Sequence, residues 1–183
     1  AKIELKASFN LLTTSPGLLT VDQTLTYAPL STRHRQCLWL LHPSRLQKIV
    51  PPSEFRIKSQ HTGHSFHCDD DGKGNVRMYD SPHKVCQAFT AEKVADDTYR
   101  FFNKSTGHML HADSEGQGNV RMHSSSNAKC QHWKIVPVGG VSFMLESENS
   151  EYNMHADDDG TGTVRCYKPD RNPTCQIFFF EDM

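Results

Sequence analysis

Apolar and polar residues alternate along two short segments, 66–69 and 75–78, which flank a turn that contains Gly72 and Gly74. When these segments pair as an antiparallel hairpin, the apolar side chains fall on one face and the polar side chains on the other. The apolar pairs are Phe66 with Met78 and Cys68 with Val76, and the polar pairs are His67 with Arg77 and Asp69 with Asn75. The pattern predicts a β-hairpin with one buried face.

The same hairpin pattern returns twice, each time after 44 residues. The apolar pairs of these copies are Leu110 with Met122, Ala112 with Val120, Met154 with Cys166, and Ala156 with Val164. The polar pairs are His111 with Arg121, Asp113 with Asn119, His155 with Arg165, and Asp157 with Thr163. A fixed period of this size indicates one supersecondary unit that is copied, each copy needing its neighbours to bury its apolar face. We expect both glycines of each turn to supply positive φ angles.

Each copy also has an opening and a closing segment that resemble strands. The opening segments begin at Phe55, Tyr99 and Phe143, and the closing segments are Cys86-Gln87-Ala88-Phe89, Cys130-Gln131-His132-Trp133 and Cys175-Gln176-Ile177-Phe178. We expect the closing aromatic ring in the core and the glutamine amide on backbone groups. Four strands in each of three copies predict an all-β fold, a β-trefoil, because a closed barrel removes exposed sheet edges. The repeats are expected at about 55–98, 99–142 and 143–183.

Residues 1–54 follow the pattern only weakly. Their strand-like segments are Phe9-Asn10-Leu11-Leu12, Gly17-Leu18-Leu19-Thr20-Val21-Asp22 and Gln36-Cys37-Leu38-Trp39, and the His-x-Asp and Val-Arg pairs are missing. Two interpretations stay open: an N-terminal extension outside the trefoil, or a degenerate fourth repeat. We prefer the extension, with the trefoil domain at 55–183, because three similar copies should share one pseudosymmetric body.

Charge and cysteine content narrow the classes of function. The chain has 20 basic and 21 acidic residues, a formal net charge of -1, so no global field favours nucleic acid. No apolar run approaches the length of a membrane span. A pseudo-threefold axis would hold Cys86, Cys130 and Cys175 apart, which predicts free thiols and favours a cytoplasmic location. The triplet Asn103-Lys104-Ser105 has the pattern of a glycosylation site and leaves secretion as the alternative.

Several motifs resemble those of known β-trefoil families. The segment Phe66-His67-Cys68-Asp69, followed by Gly74-Asn75-Val76 and the closing Cys-Gln-x-aromatic, resembles the repeats of the fascin and hisactophilin group. The closing segment is also similar to the Gln-x-Trp repeats of ricin-type lectins, and His67 resembles a sugar-contacting position of mussel β-trefoil lectins. The resemblance covers about 55–183 and implies carbohydrate binding or actin binding on a trefoil. The ricin-type pocket has Asp where this chain has His67, His111 and His155.

The polar face of each hairpin is the candidate site. One interpretation is an exposed cross-strand ladder of charges, which contributes a few tenths of a kcal/mol per pair. The other is ligand binding, in which Asp and Arg bond vicinal sugar hydroxyls and three weak sites give avidity. The candidate ligand-binding residues are His67, Asp69, Arg77, His111, Asp113, Arg121, His155, Asp157 and Arg165, with Asp80 and His83 added in the first copy alone.

The acidic turns 69–72 and 157–160 are too short for a helix–loop–helix calcium site, so we predict no metal and no cofactor. Threefold repetition argues against catalysis, because an active site is usually a single cluster. We therefore predict a non-catalytic protein that binds carbohydrate or a glycoprotein. The alternative is a cytosolic protein that binds actin filaments.

Overall fold

The computed structural model describes residues 11–13, 19–21, 48–124, 128–168 and 173–183 of the chain. The chain forms two compact units, Ala1–Pro43 and Ser44–Met183. In the first unit, strands β1 (Leu11–Thr13) and β2 (Leu19–Val21) pair as an antiparallel hairpin. Cys37 and the rest of the strand-like segments before residue 48 lie outside the described residues. Both interpretations of residues 1–54 stay predictions.

The second unit contains four strands in each of three copies. The first copy has β3 (Phe55–Ser59), β4 (Ser65–Cys68), β5 (Val76–Tyr79) and β6 (Phe89–Ala95). The second has β7 (Thr98–Asn103), β8 (Met109–Ala112), β9 (Val120–His123) and β10 (Trp133–Gly139). The third has β11 (Ser142–Ser147), β12 (Asn153–Ala156), β13 (Val164–Tyr167) and β14 (Phe178–Asp182). The predicted all-β fold of three four-stranded repeats is confirmed.

The first and fourth strands of each copy close a six-stranded barrel. Antiparallel pairing follows the order β3, β6, β7, β10, β11, β14, and β14 then pairs with β3. This last pair places Phe178 opposite Ser59 and Asp182 opposite Phe55. Because the ring returns to its first strand, these six strands satisfy one another's backbone groups. The architecture is the predicted β-trefoil.

The three hairpins β4–β5, β8–β9 and β12–β13 are joined to one another by backbone hydrogen bonds. Their registers match the prediction, with Phe66 opposite Met78 and His67 opposite Arg77 in the first copy. The N–H of Met78 donates to Gly162 O over 2.9 Å, and the N–H groups of Met122 and Cys166 make the same bond to Gly74 and Gly118. The closed ring of bonds holds the three polar faces in equivalent positions.

The apolar face of every hairpin packs into one core. Val76, Val120 and Val164 have no exposed surface. The fully buried rings are Phe55, Phe66, Phe89, Phe101, Trp133, Phe143 and Phe178. Each such side chain contributes about 1.5–3 kcal/mol when it leaves water. The core therefore fixes which hairpin face meets solvent.

Each hairpin turn is a four-residue segment with left-handed residues: Asp69–Gly72, Asp113–Gly116 and Asp157–Gly160. Asp70 and Asp71 have φ angles of 51° and 53°, which aspartate tolerates better than most residues. Gly72 has φ 97°, as predicted, but Gly74 is not in the positive-φ region, so that part of the prediction is wrong. Close packing favours glycine at position 74, because a Cβ there would lie 3.0 Å from Asp69 Cβ and 3.1 Å from the backbone carbonyl carbon of Asp69.

The closing segments differ from the prediction at their first residues. Cys86 and Gln87 lie in the helical turn Lys84–Gln87, and their counterparts lie in the 3₁₀ turns Lys129–Gln131 and Pro173–Gln176. The strands begin only at the aromatic residue. The turn forms because Gln87 Nε2 donates to Ser81 O and Gln87 Oε1 accepts from His83 N, each over 2.9 Å. The predicted amide–backbone bonding and buried ring are thus confirmed without an extended Cys-Gln segment.

Within the described part of the chain, Cys68, Cys86, Cys130 and Cys166 are free thiols, as predicted. Across the described ranges, no helix is long and apolar enough to cross a membrane.

Candidate ligand-binding faces of the three hairpins

An ion pair stands at the centre of each hairpin's polar face. In the first copy Arg77 Nε lies 2.8 Å from Asp69 Oδ1, with 52% and 31% of the two side chains exposed. The equivalent distances are 2.7 Å between Arg121 and Asp113 and 2.6 Å between Arg165 and Asp157. Such a pair contributes under about 1 kcal/mol to stability because water screens it. The predicted Asp–Arg neighbours are therefore brought together in all three copies.

A histidine lies opposite each of these arginines and is partly buried. The pKa values of His67, His111 and His155 are lowered, first because burial disfavours the charged imidazole. The nearby arginine lowers each pKa further, whereas the aspartate raises it. The three rings are therefore neutral at pH 7, and each offers one N–H donor and one acceptor.

The buried nitrogen of each imidazole indicates where its proton lies. Nδ1 of His67 and of His155 is buried and has no hydrogen-bond partner among the described residues. Nδ1 of His111 lies 3.5 Å from Cys130 Sγ, a thiol whose pKa is raised by burial and which therefore keeps its proton to donate. A thiol that donates to Nδ1 leaves the ring proton of His111 on Nε2, and the equivalent orientation of His67 and His155 favours the same tautomer there. In the second copy this Nε2 lies 3.9 Å from Asp113 Oδ1, on the side of the ion pair.

A second ring in each copy completes the face, and the sequence reasoning missed it. The ring centroid of Tyr79 lies 4.8 Å from that of His67, and Tyr167 lies 4.8 Å from His155. In the second copy the equivalent residue is His123, 4.9 Å from His111. These residues follow the arginine by two positions, so strand alternation alone places them on the same face. That alternation is the signal that could have found them.

The tyrosines also contact the arginines. The guanidinium carbon of Arg77 lies 5.9 Å from the centroid of Tyr79, and that of Arg165 lies 6.0 Å from the centroid of Tyr167. Tyr79 is 41% exposed, so part of its ring is available to a ligand. A cation near an aromatic ring contributes about 0.5–1 kcal/mol at an exposed site, which favours the arginine conformations beside the ring.

Two further candidates belong to the first copy alone. The ring of His83 lies 5.5 Å from that of His67, so the structure does place it beside the face. Asp80 is exposed, and its carboxylate accepts a hydrogen bond from Ser81 Oγ over 3.2 Å. The ligand-binding roles of both residues stay predictions.

Acidic residues surround the faces without forming a metal cluster. Burial raises the pKa of Asp157, which faces Arg165, His155 and Asp158. Asp159 acts on the thiol of Cys175, and Asp71 on that of Cys86, so the turn carboxylates lie near the faces. In the described part of the chain, no three His, Cys, Asp or Glu side chains are grouped as metal ligands would be.

The comparison with known families points to the central part of this unit. Residues 86–165 match the family model of the ricin-type beta-trefoil lectin domain-like proteins. The matched range includes the whole second copy and parts of the other two. The chain has no significant match among the curated proteins.

Solved structures share the fold at low sequence identity. A designed 3-fold symmetric protein, ThreeFoil, matches with a TM-score of 0.65 and 20% identity, over 72% of this chain and 100% of that chain. The Polyporus squamosus lectin, solved with a human-type influenza-binding epitope, matches with a TM-score of 0.63 and 16% identity, over 73% of this chain and 50% of that chain. An exo-beta-1,3-galactanase from Clostridium thermocellum matches with a TM-score of 0.65 and 15% identity, over 74% of this chain and 31% of that chain.

In the last two proteins the trefoil is therefore only a part of a longer chain. At these identities the likeness establishes architecture and not activity. The second unit of this chain is a β-trefoil, and its residues 86–165 resemble the ricin-type β-trefoil lectin domain.

Proposed function

We propose that the trefoil is a non-catalytic carbohydrate-binding module that uses the polar faces of its hairpins. The observation that carries the proposal is the repeated group of an Asp–Arg pair, a neutral imidazole and a second ring on one solvent-facing surface. The family match over residues 86–165 supports it.

The chemistry of this group suits sugar hydroxyls. A carboxylate accepts hydrogen bonds, whereas the guanidinium N–H groups outside the ion pair and the imidazole Nε2–H donate them. One hydroxyl accepts from a donor while its neighbour donates to the carboxylate, so vicinal hydroxyls match the set. The ring beside the pair offers a surface for the C–H face of a sugar.

The charges favour uncharged sugars. The first and third turns each carry three consecutive aspartates, Asp69–Asp71 and Asp157–Asp159, against the single arginine of each face. A sialic or uronic acid would bring a further negative charge to this surface, and like charges repel. We expect neutral glycans to bind more tightly than sialylated ones of the same core.

The same geometry supports a role in binding rather than catalysis. Asp69, Asp113 and Asp157 are each paired with an arginine, which keeps the carboxylate in use as a hydrogen-bond acceptor. An active site usually gathers its groups once, whereas this set occurs three times. The structural likeness to a galactanase does not change this proposal, because the matched region is only 31% of the galactanase chain and the rest of that chain has no counterpart in the match. The actin-binding alternative stays a prediction without a supporting observation.

Glycan-array binding of the purified chain tests the proposal. Two triple variants remove the site groups: Asp69→Ala with Asp113→Ala and Asp157→Ala, or Arg77→Gln with Arg121→Gln and Arg165→Gln. The matched control is Glu92→Ala, because Glu92 pairs with Arg100 over 2.6 Å, away from the hairpins.

We expect both triple variants to lose glycan binding and the control to keep it. Far-UV circular dichroism checks that each variant is folded, and the arginine triple decides the result when the aspartate triple does not fold. Absence of binding by the parent chain, or full binding by a folded triple variant, would refute the proposed function.

A further inference from the structure

We propose that the first and third hairpin faces are the working sites and that the second is not, so that one chain holds two glycans and cross-links them. This inference rests on the proposed function. The observations that support it are the differences between the three hairpin faces.

The first difference is the second ring. Tyr79 and Tyr167 are replaced by His123 in the second copy. A phenol ring offers a larger apolar face than an imidazole, which carries two polar nitrogens. Stacking against the C–H face of a sugar depends on that apolar face. The two tyrosine copies are therefore better platforms than the histidine copy.

The second difference is the orientation of the rings. His111 and His123 stack with an angle of 29° between their planes, so each ring covers one face of the other. The planes of His67 and Tyr79 meet at 38°, and those of His155 and Tyr167 at 68°. The larger tilt in the third copy leaves the Tyr167 ring less covered by its histidine neighbour, whereas the first copy differs from the second by only a small angle.

The third difference is what holds each ring in place. The imidazole of His123 is bonded to its own loop, with Nδ1 lying 3.0 Å from Ser124 O. Both tyrosines instead contact the arginine of their own face, at 5.9 and 6.0 Å. In the first and third copies the arginine and the aromatic ring thus form one preordered surface, which lowers the entropy cost of binding.

The turn carboxylates differ in the same way. Asp70 Oδ2 and Asp158 Oδ2 lie against the second glycine of their turns, 2.8 and 2.6 Å from where a Cβ of that glycine would stand. The second copy has Ser114 at this position and lacks that carboxylate. Its acceptor set is smaller by one acid.

The two working faces lie on different hairpins of one body. The copies are related by a pseudo-threefold axis, and a bridge between Arg77 and Thr163 joins the first hairpin to the third. Because the faces are related by one third of a turn about this axis, we assign each of the two its own glycan. Two faces on one rigid body therefore engage two glycan chains and gain avidity on a glycan-coated surface.

Site-resolved NMR titration measures which faces bind. The probes are the methyl glycosides of galactose, glucose, mannose and N-acetylglucosamine, added to the 15N-labelled full chain. We expect amide shifts around Tyr79 and Tyr167 and none around His123. Shifts at all three faces would overturn this inference and leave the proposed function standing, whereas no shift at any face would overturn both.

Four variants test the role of the ring. Tyr79→Ala and Tyr167→Ala are each expected to weaken binding about tenfold at their own face, the scale of an aromatic contact. The control is Glu92→Ala, on the barrel strands, whereas His123→Ala tests the second copy and is expected to leave the shifts at the first and third faces in place. His123→Tyr is expected to add sugar-dependent shifts at the second face. Loss of binding in His123→Ala would contradict the inference.

Turbidity of a glycan-conjugated albumin, carrying the best of the four sugars, measures cross-linking. We expect the parent chain to precipitate it and each single tyrosine variant to bind it without precipitation. Size-exclusion chromatography supplies the oligomeric state of every sample. Precipitation by both single tyrosine variants, at unchanged oligomeric state, would overturn the two-site mechanism.

Discussion

Replacement of Gly72 by alanine tests how a hairpin turn supports the candidate site. Gly72 has φ 97°, and a Cβ there would lie 2.6 Å from Asn103 Oδ1. The side chain of Asn103 is fully buried. Its Oδ1 accepts from the N–H groups of Ser105 and Thr106 over 3.1 Å, and its Nδ2 donates to Val85 O over 2.8 Å. The added methyl group would displace a side chain that ties the first copy to the second.

The expected loss has two parts. A non-glycine residue in the left-handed region costs about 1–2 kcal/mol. Three hydrogen bonds at about 0.5–1.5 kcal/mol each add about 1.5–4.5 kcal/mol when Asn103 moves. We therefore expect Gly72→Ala to lower the free energy of unfolding by about 3–6 kcal/mol. Gly107 has φ 69° and nothing within 4 Å of its Cβ position, so Gly107→Ala should cost only the backbone part.

Urea unfolding followed by far-UV circular dichroism measures both variants under one set of conditions. The difference between the two losses isolates the contact with Asn103 from the backbone strain, because both positions share a positive φ. Equal losses for Gly72→Ala and Gly107→Ala would refute the argument, since they would show that Asn103 yields without cost.

Three further predictions follow from buried groups. Trp133 Nε1 donates a hydrogen bond to Leu110 O over 3.1 Å, and this buried carbonyl would lose its donor in Trp133→Phe. Urea unfolding should show that this variant lowers the free energy of unfolding by about 1–3 kcal/mol. Burial raises the pKa of the Cys166 thiol to about 12, so Ellman's reagent at pH 8 should titrate as many thiols in native Cys166→Ala as in the native parent chain. One reactive thiol fewer in native Cys166→Ala would contradict this. The pKa values of the three face histidines are lowered from 6.5, so the unfolded chain binds more protons near and below that pH, and stability should fall as the pH drops through 6.5. His155→Ala should reduce this fall in the urea midpoint, and an unchanged pH profile would count against the role of burial.

The hairpin register is the part of the fold that the sequence predicts best. A slip of one residue in the β4–β5 pairing would send His67 and Arg77 into the core and Phe66 into water, so the alternation admits only one register. The turns that precede the closing strands are not predicted by the sequence, because Cys86-Gln87-Ala88-Phe89 has the alternation of a strand. Its turn depends on bonds from Gln87 to residues four and six positions earlier, which no local pattern contains.

The candidate site was predicted in part for a related reason. His67, Asp69 and Arg77 repeat almost unchanged, and the search for a repeat finds positions that are alike. Tyr79 was overlooked because its equivalents are His123 and Tyr167, so the position differs between the copies. Its place on the polar face follows from its spacing to Arg77, but its contact with His67 at 4.8 Å depends on how the two strands pack.

Stability and binding make different demands on the three copies, and the difference separates scaffold from site. The φ angle of Gly72 and the space around Gly74 explain why each turn keeps its glycines, and burial explains the apolar pairs. The Asp69–Arg77 pair is exposed and contributes under about 1 kcal/mol, so folding alone gives little reason for its threefold presence. Folding gives no more reason for the change from Tyr79 to His123, because both stand on the solvent side of the sheet. The proposed ligand at the first and third faces would require the tyrosines there, whereas the Asp113–Arg121 pair of the second copy is left with its small contribution to stability.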